Sequence, residues 1–474
     1  KNKKNNFFLL SNLFFFILFI AFLVFKAHDD FPYYHFPYTY YLTQSKILIG
    51  IGHFNHGFRT PSSIFYLNSL FYLPVAKYYF FQIGQVMIMG FTSLIFLDFI
   101  NKSIKKKNYN IIFFLSLLSF TFINIFFYRI GEHGTDRSAQ ILIFLLIIQL
   151  LIIINFNENF RENISKILVL LLLIVSLKAF YILYLLLLIP IIFYLIKKKD
   201  LNYFYEILKN PLLYFSTIFF VIILSVNFFN SGCLIYPVKI TCIDGLSWAT
   251  PLKEVSAMND WYEQWSKAGA GPNFRVSNPE IYIQGLNWVG NWFSKYFFNK
   301  VSDFLYGLIF LCIIYLALYN SKKTTLNKNY EGVLFIYIIL LILFIEWFYN
   351  HPALRYGGYP LISSLFFLPL ASYLSKKDYQ HSKIKIKSYF IICLTILIFF
   401  SRNINRLYAE NNQYGYNPLK IINYEIDNKY FYIQDQFDDI IEKNRQCIED
   451  SVFCNKHSVF NVKKINNYII FLRK

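Results

Sequence analysis

The chain reads as an all-α polytopic membrane protein of about eleven transmembrane helices carrying a small α+β tail, and three observations predict it. Hydrophobic residues make up 56% of the 474 positions and charged residues only 15%, more apolar surface than a soluble domain can bury. The apolar residues run in continuous stretches rather than alternating, which excludes a β-barrel. The lysines collect between those stretches, where the positive-inside rule places them on cytoplasmic loops. The net charge of +19 therefore reads as a topology signal. No basic face interleaved with aromatics is present, so nucleic acid is not an expected partner.

Taken in order, the apolar stretches lie at roughly 7–26, 79–99, 111–128, 138–156, 167–177, 180–196, 211–229, 303–320, 332–349, 360–375 and 388–402. Most are long enough to cross ~30 Å of hydrocarbon at 1.5 Å per residue. The first is flanked by Lys1, Lys3 and Lys4 and has no small-x-small site after it, so it reads as a span and not as a cleaved signal. The ambiguous piece is 167–196, interrupted by Lys178. One tilted helix there would reverse the side of everything downstream. A short hairpin with Lys178 at its outer tip instead puts the lysine-rich segments 102–107, 197–199, 322–328 and 376–387 on the side of the N-terminus. The hairpin is the expectation. It predicts a multi-pass membrane protein with a cytoplasmic N-terminus and an extracytoplasmic C-terminus. Residues 1–402 form the membrane domain with outer loops 27–78 and 230–300, and 403–474 form a small outer domain.

Within the first outer loop, 38–52 and 62–74 read as amphipathic interfacial helices rich in Tyr and Phe. The second outer loop carries five of the six tryptophans, Trp248, Trp261, Trp265, Trp288 and Trp292, which suit either sugar stacking or interfacial anchoring. The tail alternates around Tyr430 and Val459, as short strands do. Of six cysteines, Cys312 and Cys393 fall within spans and read as small buried residues. Cys233 with Cys242, and Cys447 with Cys454, are close pairs on the outer side, where an oxidising compartment would join them as disulfides. A zinc site is the alternative, although neither pair has CxxC spacing.

Four segments carry charge where chemistry could use it. The first is His28-Asp29-Asp30-Phe31-Pro32-Tyr33-Tyr34-His35, directly after the first stretch. Adjacent carboxylates repel, which raises one proton affinity and poises that acid as a general base beside a lipid-borne substrate. The plainer account is a hydrated turn before an interfacial helix. The second is 52–61, in which His53 and His56 could join a metal site with His28 or His35, or simply hydrogen-bond in a turn. Arg59 there could pair with the two acids or bind phosphate. The third is the turn 128–137, which packs Glu132 and Asp136 with Arg129 and Arg137. It forms either a second wall of one site or merely solvated helix ends. The fourth is 351–360, where Arg355 and Tyr356 precede two glycines. Guanidinium donors fit phosphate oxygens bidentately, whereas an anchor paired with Glu346 is the plainer account. Lys178 is a second phosphate candidate, since a lone lysine at mid-bilayer costs about 2.5–3.5 kcal/mol and must face water or a cavity.

Together these pieces resemble the GT-C glycosyltransferases, and more closely a bacterial branch of them, a likeness that implies a bacterial plasma membrane. The motifs that carry the resemblance are Asp29, Asp30, Tyr33, Tyr34, His35 and Pro37 after the first span, then Gly232, Cys233, Tyr236 and Pro237 with Cys242 and Trp248, and the late Arg-Tyr-Gly turn. The resemblance covers the whole topology through short motifs. It implies a sugar donor carried on polyprenyl phosphate, a glycan, lipid or protein acceptor, and contact with membrane lipid. It implies that Asp30 or Asp29 is the base of an inverting transfer. Arg355 and Lys178 would hold phosphate, Glu132 or Asp136 would position the acceptor, and His35, Arg59 and Tyr356 would line the substrate site. Relatives often have Asp-Glu where this chain has Asp-Asp, which leaves both carboxylates as candidates. No cofactor and no metal is expected. Two other functions stay in view. A surface-glycan polymerase or ligase would bring several arginines into its large loop, and 230–300 offers only Arg275. A lipid or solute transporter would place charges mid-span, where little beyond Lys178 is found.

Overall fold

The computed structural model describes residues 15, 18–23, 30–44, 48–76, 79–131, 134–156, 159–198, 201–270, 276–321, 330–414, 417–418, 446, 460–465 and 468–473. Among them, seven helices are long and apolar enough to cross a membrane: Ile83–Lys106, Gly134–Phe156, Ala179–Lys198, Pro211–Ser231, Val289–Tyr319, Val333–Asn350 and His381–Gln413. The protein is thus a helical, polytopic membrane-type bundle, but the expected count of eleven is not met. The reasons are local. The stretch at 111–128 forms the helix Ile111–Phe126, whose 16 residues rise only ~24 Å. Helix Phe160–Leu177 carries Arg161, Glu162 and Lys166 in its opening turns. Helix Gly358–Ser375 is diluted by Gly358, by serines and by Pro369. The first stretch lies largely outside the described residues.

Burial separates the inner helices from the outer ones. Ile111–Phe126 is buried on every face from Ile111 to Asn124, so it sits at the centre and needs no contact with lipid. Pro211–Ser231 buries only Ser216, Asn227, Asn230 and Ser231 and turns its apolar residues outward. That inversion suits a hydrocarbon solvent, in which helices associate through packing and interhelical hydrogen bonds. Asn124 Nδ2 donates to Ser93 Oγ at 3.2 Å, and Thr121 shares a 2.8 Å hydrogen bond with Tyr315.

Lys178 interrupts the long apolar run. Its backbone is extended (φ −160°, ψ 127°), ending Phe160–Leu177 before the 3-10 segment Ala179–Leu188. The chain then returns, so that Lys197 meets Glu331 at 3.2 Å at the far end of the bundle. Tyr109 bonds His381 at that end, and Lys387 donates to the Leu318 carbonyl. The described lysines of 102–107, 197–199 and 376–387 therefore share one end; 322–328 lies outside the described residues.

The opposite end is built from the loops. Loop one is less helical than expected: Phe36–Gln44 and Ser63–Ser69 are helices, but Leu48–Ile49 is a strand, β1. In the tail, β2 (Phe460–Ile465) pairs antiparallel with β3 (Tyr468–Arg473), and β3 pairs parallel with β1 in the order β1-β3-β2. Gly50, at φ +71°, makes this junction possible, because a Cβ there would lie 2.3 Å from the Phe471 carbonyl oxygen. Arg473 N–H donates to the Ser247 carbonyl at 2.8 Å, so β3 touches both outer loops. Helix His381–Tyr414 runs unbroken through residue 402, where the outer domain was expected to begin. Cys233 and Cys242 form a disulfide. Cys447, Cys454 and the stretch around Tyr430 lie outside the described residues. Cys393 is exposed on its helix and Cys312 half-buried, not enclosed as expected.

Candidate functional site

At the loop-bearing end, four charged residues from four separate segments meet. Arg355 Nη2 donates to Asp30 Oδ2 at 2.7 Å, and Arg355 Nε donates to Asp136 Oδ2 at 3.1 Å. Lys178 Nζ donates to the other Asp136 oxygen. Two acids and two bases thus form one neutral chain, Asp30–Arg355–Asp136–Lys178. Local sequence explains each placement. Asp30 stands at the start of the helical turn Phe31–His35. Asp136 lies in the first turn of Gly134–Phe156, where unpaired N–H groups favour a carboxylate. Lys178 occupies the extended break just described. Arg355 rides on the 3-10 turn Leu354–Tyr356, which Gly357 at φ +101° closes.

The Arg355 turn is anchored through its backbone. Gln140 Nε2 donates to the Arg355 carbonyl at 2.8 Å. Trp292 Nε1 donates to Pro352 O at 2.9 Å, Trp347 Nε1 to Ala353 O at 3.0 Å, and Leu354 N–H to the Tyr296 hydroxyl at 2.8 Å. Asp136 and Gln140, one helical turn apart on one face, grip the Arg355 side chain and backbone respectively. Burial opposes the charge on Arg355, but Asp30 and then Asp136 outweigh it and hold the guanidinium firmly protonated. Aromatic rings surround the cluster. The Arg355 guanidinium carbon is 5.6 Å from the Trp265 ring and 5.8 Å from Tyr356, and Lys178 Nζ lies 5.2 Å from Tyr356. Burial, and then Asp30, push the Tyr34 phenol well above its ordinary range, so it is a neutral hydrogen-bonding group here.

The other expected site residues divide. Asp29 and Glu132 lie outside the described residues. His35 packs between Tyr34, at 4.3 Å between ring centroids, and Phe65, at 5.3 Å. Arg59 does not join Asp30. Its Nε donates to Gly52 O at 2.8 Å, Nη1 to the Tyr236 hydroxyl at 3.2 Å, and Nη2 to Glu254 Oε1 at 2.7 Å. The proposed Glu346 partner for Arg355 is also corrected: Glu346 accepts from Asn350 at 3.1 Å. Arg137 stacks on Tyr359, its guanidinium carbon 4.0 Å from the ring centroid. His56 shares a 2.7 Å hydrogen bond with Tyr33, and burial followed by Arg59 lowers its proton affinity. Among the described residues, no group of three or more His, Cys, Asp or Glu is placed to hold a metal ion. Sequence reading missed Gln140 and Glu254. The i,i+4 spacing from Asp136 could have flagged the first, and nothing local marks the second.

No curated protein and no solved structure matches the chain. A family model described as a domain of unknown function, DUF8201, matches residues 1–362, a stretch that holds Asp30, Asp136, Lys178 and Arg355. The chain therefore belongs to the DUF8201 family.

Proposed function

We propose that this protein is a membrane glycosyltransferase of the GT-C type, moving a sugar from a polyprenyl-phosphate donor to an acceptor hydroxyl at the extracytoplasmic face of a bacterial plasma membrane. One observation carries the reading: Asp30, Asp136, Lys178 and Arg355 converge at the end of the bundle opposite the lysines. Stability alone argues weakly for such a cluster, since well-packed apolar residues often serve as well as a buried ion pair. Partly exposed ionic groups at a membrane interface fit a charged substrate better.

The geometry suggests how the groups divide the work. Asp30 takes the proton of the acceptor hydroxyl, whose oxygen attacks the anomeric carbon with inversion. The bond from that carbon to the phosphate oxygen breaks, and polyprenyl phosphate leaves with the electron pair. Arg355 and Lys178 meet the charge that develops on the leaving phosphate. In the resting arrangement Arg355 spends its Nε and Nη2 donors on two carboxylate oxygens, one each from Asp30 and Asp136. A phosphate can take over that pair of donors, and Asp30 then becomes available as the base. The test is transfer of radiolabelled sugar from polyprenyl-phosphate donors in membranes, comparing wild type with Asp30→Asn. The expected result is transfer by wild type and its loss in the variant at normal protein level. Undiminished transfer by Asp30→Asn would remove the reading.

A further inference from the structure

The five tryptophans of loop 230–300 do not behave alike. Trp288 and Trp292 are 0% and 3% exposed, and their indole N–H groups are committed to Gly285 O and Pro352 O. Both are pillars of the core. Trp248 packs edge-on against Phe228. Trp261 and Trp265 are different. They lie four residues apart on the helix Leu252–Lys267, with ring planes at 26° and centroids 6.5 Å apart. Trp261 is 40% exposed, and Trp265 reaches inward to Tyr356, 5.7 Å between centroids, and to Arg355. The helix that carries them also bears Lys253, Glu254, Asp260, Glu263 and Lys267, a composition unfit for hydrocarbon. Because Trp265 turns inward onto Tyr356 and Arg355, membrane anchoring alone does not explain why two indoles stand on it.

We infer that Trp261 and Trp265 form a stacking shelf for a pyranose ring whose neighbouring phosphate or hydroxyl meets Arg355. The inference rests on the transferase reading for the identity of the ligand and deepens it. A pyranose presents C–H bonds on its faces and hydroxyls at its rim. The electron-rich indole face attracts those slightly positive C–H groups, and rigid aromatic side chains give large contact area at small entropic cost. The ion cluster lies at the inner edge of the shelf, so a ring seated on Trp265 has its anomeric substituent beside the cations. Asp260 adjoins Trp261 in the sequence and is suited to accept hydroxyl hydrogens.

The test uses the full chain in lipid nanodiscs and a panel of methyl pyranosides as probes, with saturation-transfer NMR as the readout. Wild type should transfer saturation to the ring protons of at least one pyranoside. Trp265→Ala and Trp261→Ala should each weaken binding roughly five- to tenfold, in line with the worth of one aromatic contact, and Trp265→Phe should restore most of it. Because Trp261 is exposed, its alanine variant should melt as wild type does, which keeps the test valid if Trp265→Ala is poorly folded. Undiminished binding by Trp261→Ala, or by a folded Trp265→Ala, would overturn the shelf, and so would no saturation of any pyranoside by wild type. Measuring transfer beside binding separates the two claims. Pyranoside binding without transfer by wild type would leave the shelf standing and remove the enzyme, whereas transfer with an unchanged KM in both tryptophan variants would do the reverse.

Discussion

Two arginines at the loop-bearing end make opposite use of the same side chain. Arg59 is 7% exposed, and each of its three nitrogens donates to a separate partner, a carbonyl, a phenol and one carboxylate. Arg355 is 30% exposed and shared between two carboxylates from separate segments, Asp30 and Asp136. A guanidinium buried among several fixed acceptors of different kinds ties loop one to loop two and has nothing to exchange. A guanidinium whose side-chain hydrogen bonds go to carboxylates, within reach of water, can trade one anion for another at little net cost. Charge in a loop is therefore no guide to function until its partners are known. As loop cations in the sequence Arg59 and Arg355 stand on equal terms, and their surroundings separate them.

The strongest way to break that comparison is at Asp30. If Arg355 trades carboxylate for phosphate, Asp30→Asn should lower sugar transfer about 10²–10⁴-fold, the usual worth of a general base. The same variant should bind prenyl phosphate more tightly than wild type, because the competing anion has gone. Isothermal titration with a short-chain prenyl phosphate measures this second effect, and weaker binding by Asp30→Asn would contradict the exchange. Arg355→Lys should keep the fold and lose most of the phosphate affinity, since a point charge replaces a planar fork.

Arg59 should fail in the other currency. Glu254 is 46% exposed and water can take over its charge, but removing Arg59 strands the buried Gly52 carbonyl and Tyr236 phenol, at about 1–3 kcal/mol for a buried polar group left unpaired. Arg59→Ala is therefore expected to lower the melting temperature and expose loop two to protease, before any question of activity arises. A stable, inactive Arg59→Ala protein would return Arg59 to the substrate site and erase the contrast with Arg355. The Cys233–Cys242 bridge closes a loop beside Tyr236, the phenol that Arg59 contacts. Loop-closure entropy at that spacing is worth about 2–3 kcal/mol. Reduction, or Cys242→Ser, should destabilise loop two by that order. Its thiols should react with an impermeant reagent on intact cells only after reduction.

The sequence made the helical stretches legible because continuous apolarity is local. Lys178 was legible too, as a charge that an apolar run could not bury. The span count failed where local composition was diluted, at Arg161, Glu162 and Lys166, and where a central helix needed only 16 residues. Strand β1 was hidden because its partner lies some 420 positions away: Leu48 pairs with Ile469. The site was legible as a set of candidates but not as an assembly. Arg355 and Asp30 are 325 residues apart, and Arg355 and Asp136 are 219 apart. Nothing in local periodicity records which of several loop charges will meet. For the same reason Glu254, 195 positions from Arg59, carried no mark that it would claim that arginine first.

The smallest expected effect concerns histidines beside the two arginines, and it tests how dry each neighbourhood is. Burial, with Lys267 adding repulsion, pushes the His351 imidazole down to about 4. Burial and then Arg59 lower His53 and His56 as well. An unfolded histidine takes its proton near pH 6.5. Above that pH both states are neutral at these positions, and they contribute nothing to the pH dependence. Between about 6.5 and about 4, the unfolded chain binds a proton at position 351 that the folded protein refuses, so stability must fall as pH falls through this window. Below about 4 the folded protein also binds it, and the loss levels off. The melting temperature of the nanodisc-embedded protein should therefore drop between pH 7 and pH 4.5, and His351→Phe should flatten part of that slope while leaving the value at pH 7.5 nearly unchanged. His53 and His56 around Arg59, lowered in the same direction, contribute to the remaining slope. An unaltered slope in His351→Phe would mean that the turn carrying Arg355 already admits water and protons at rest, and that the Arg59 neighbourhood alone is dry.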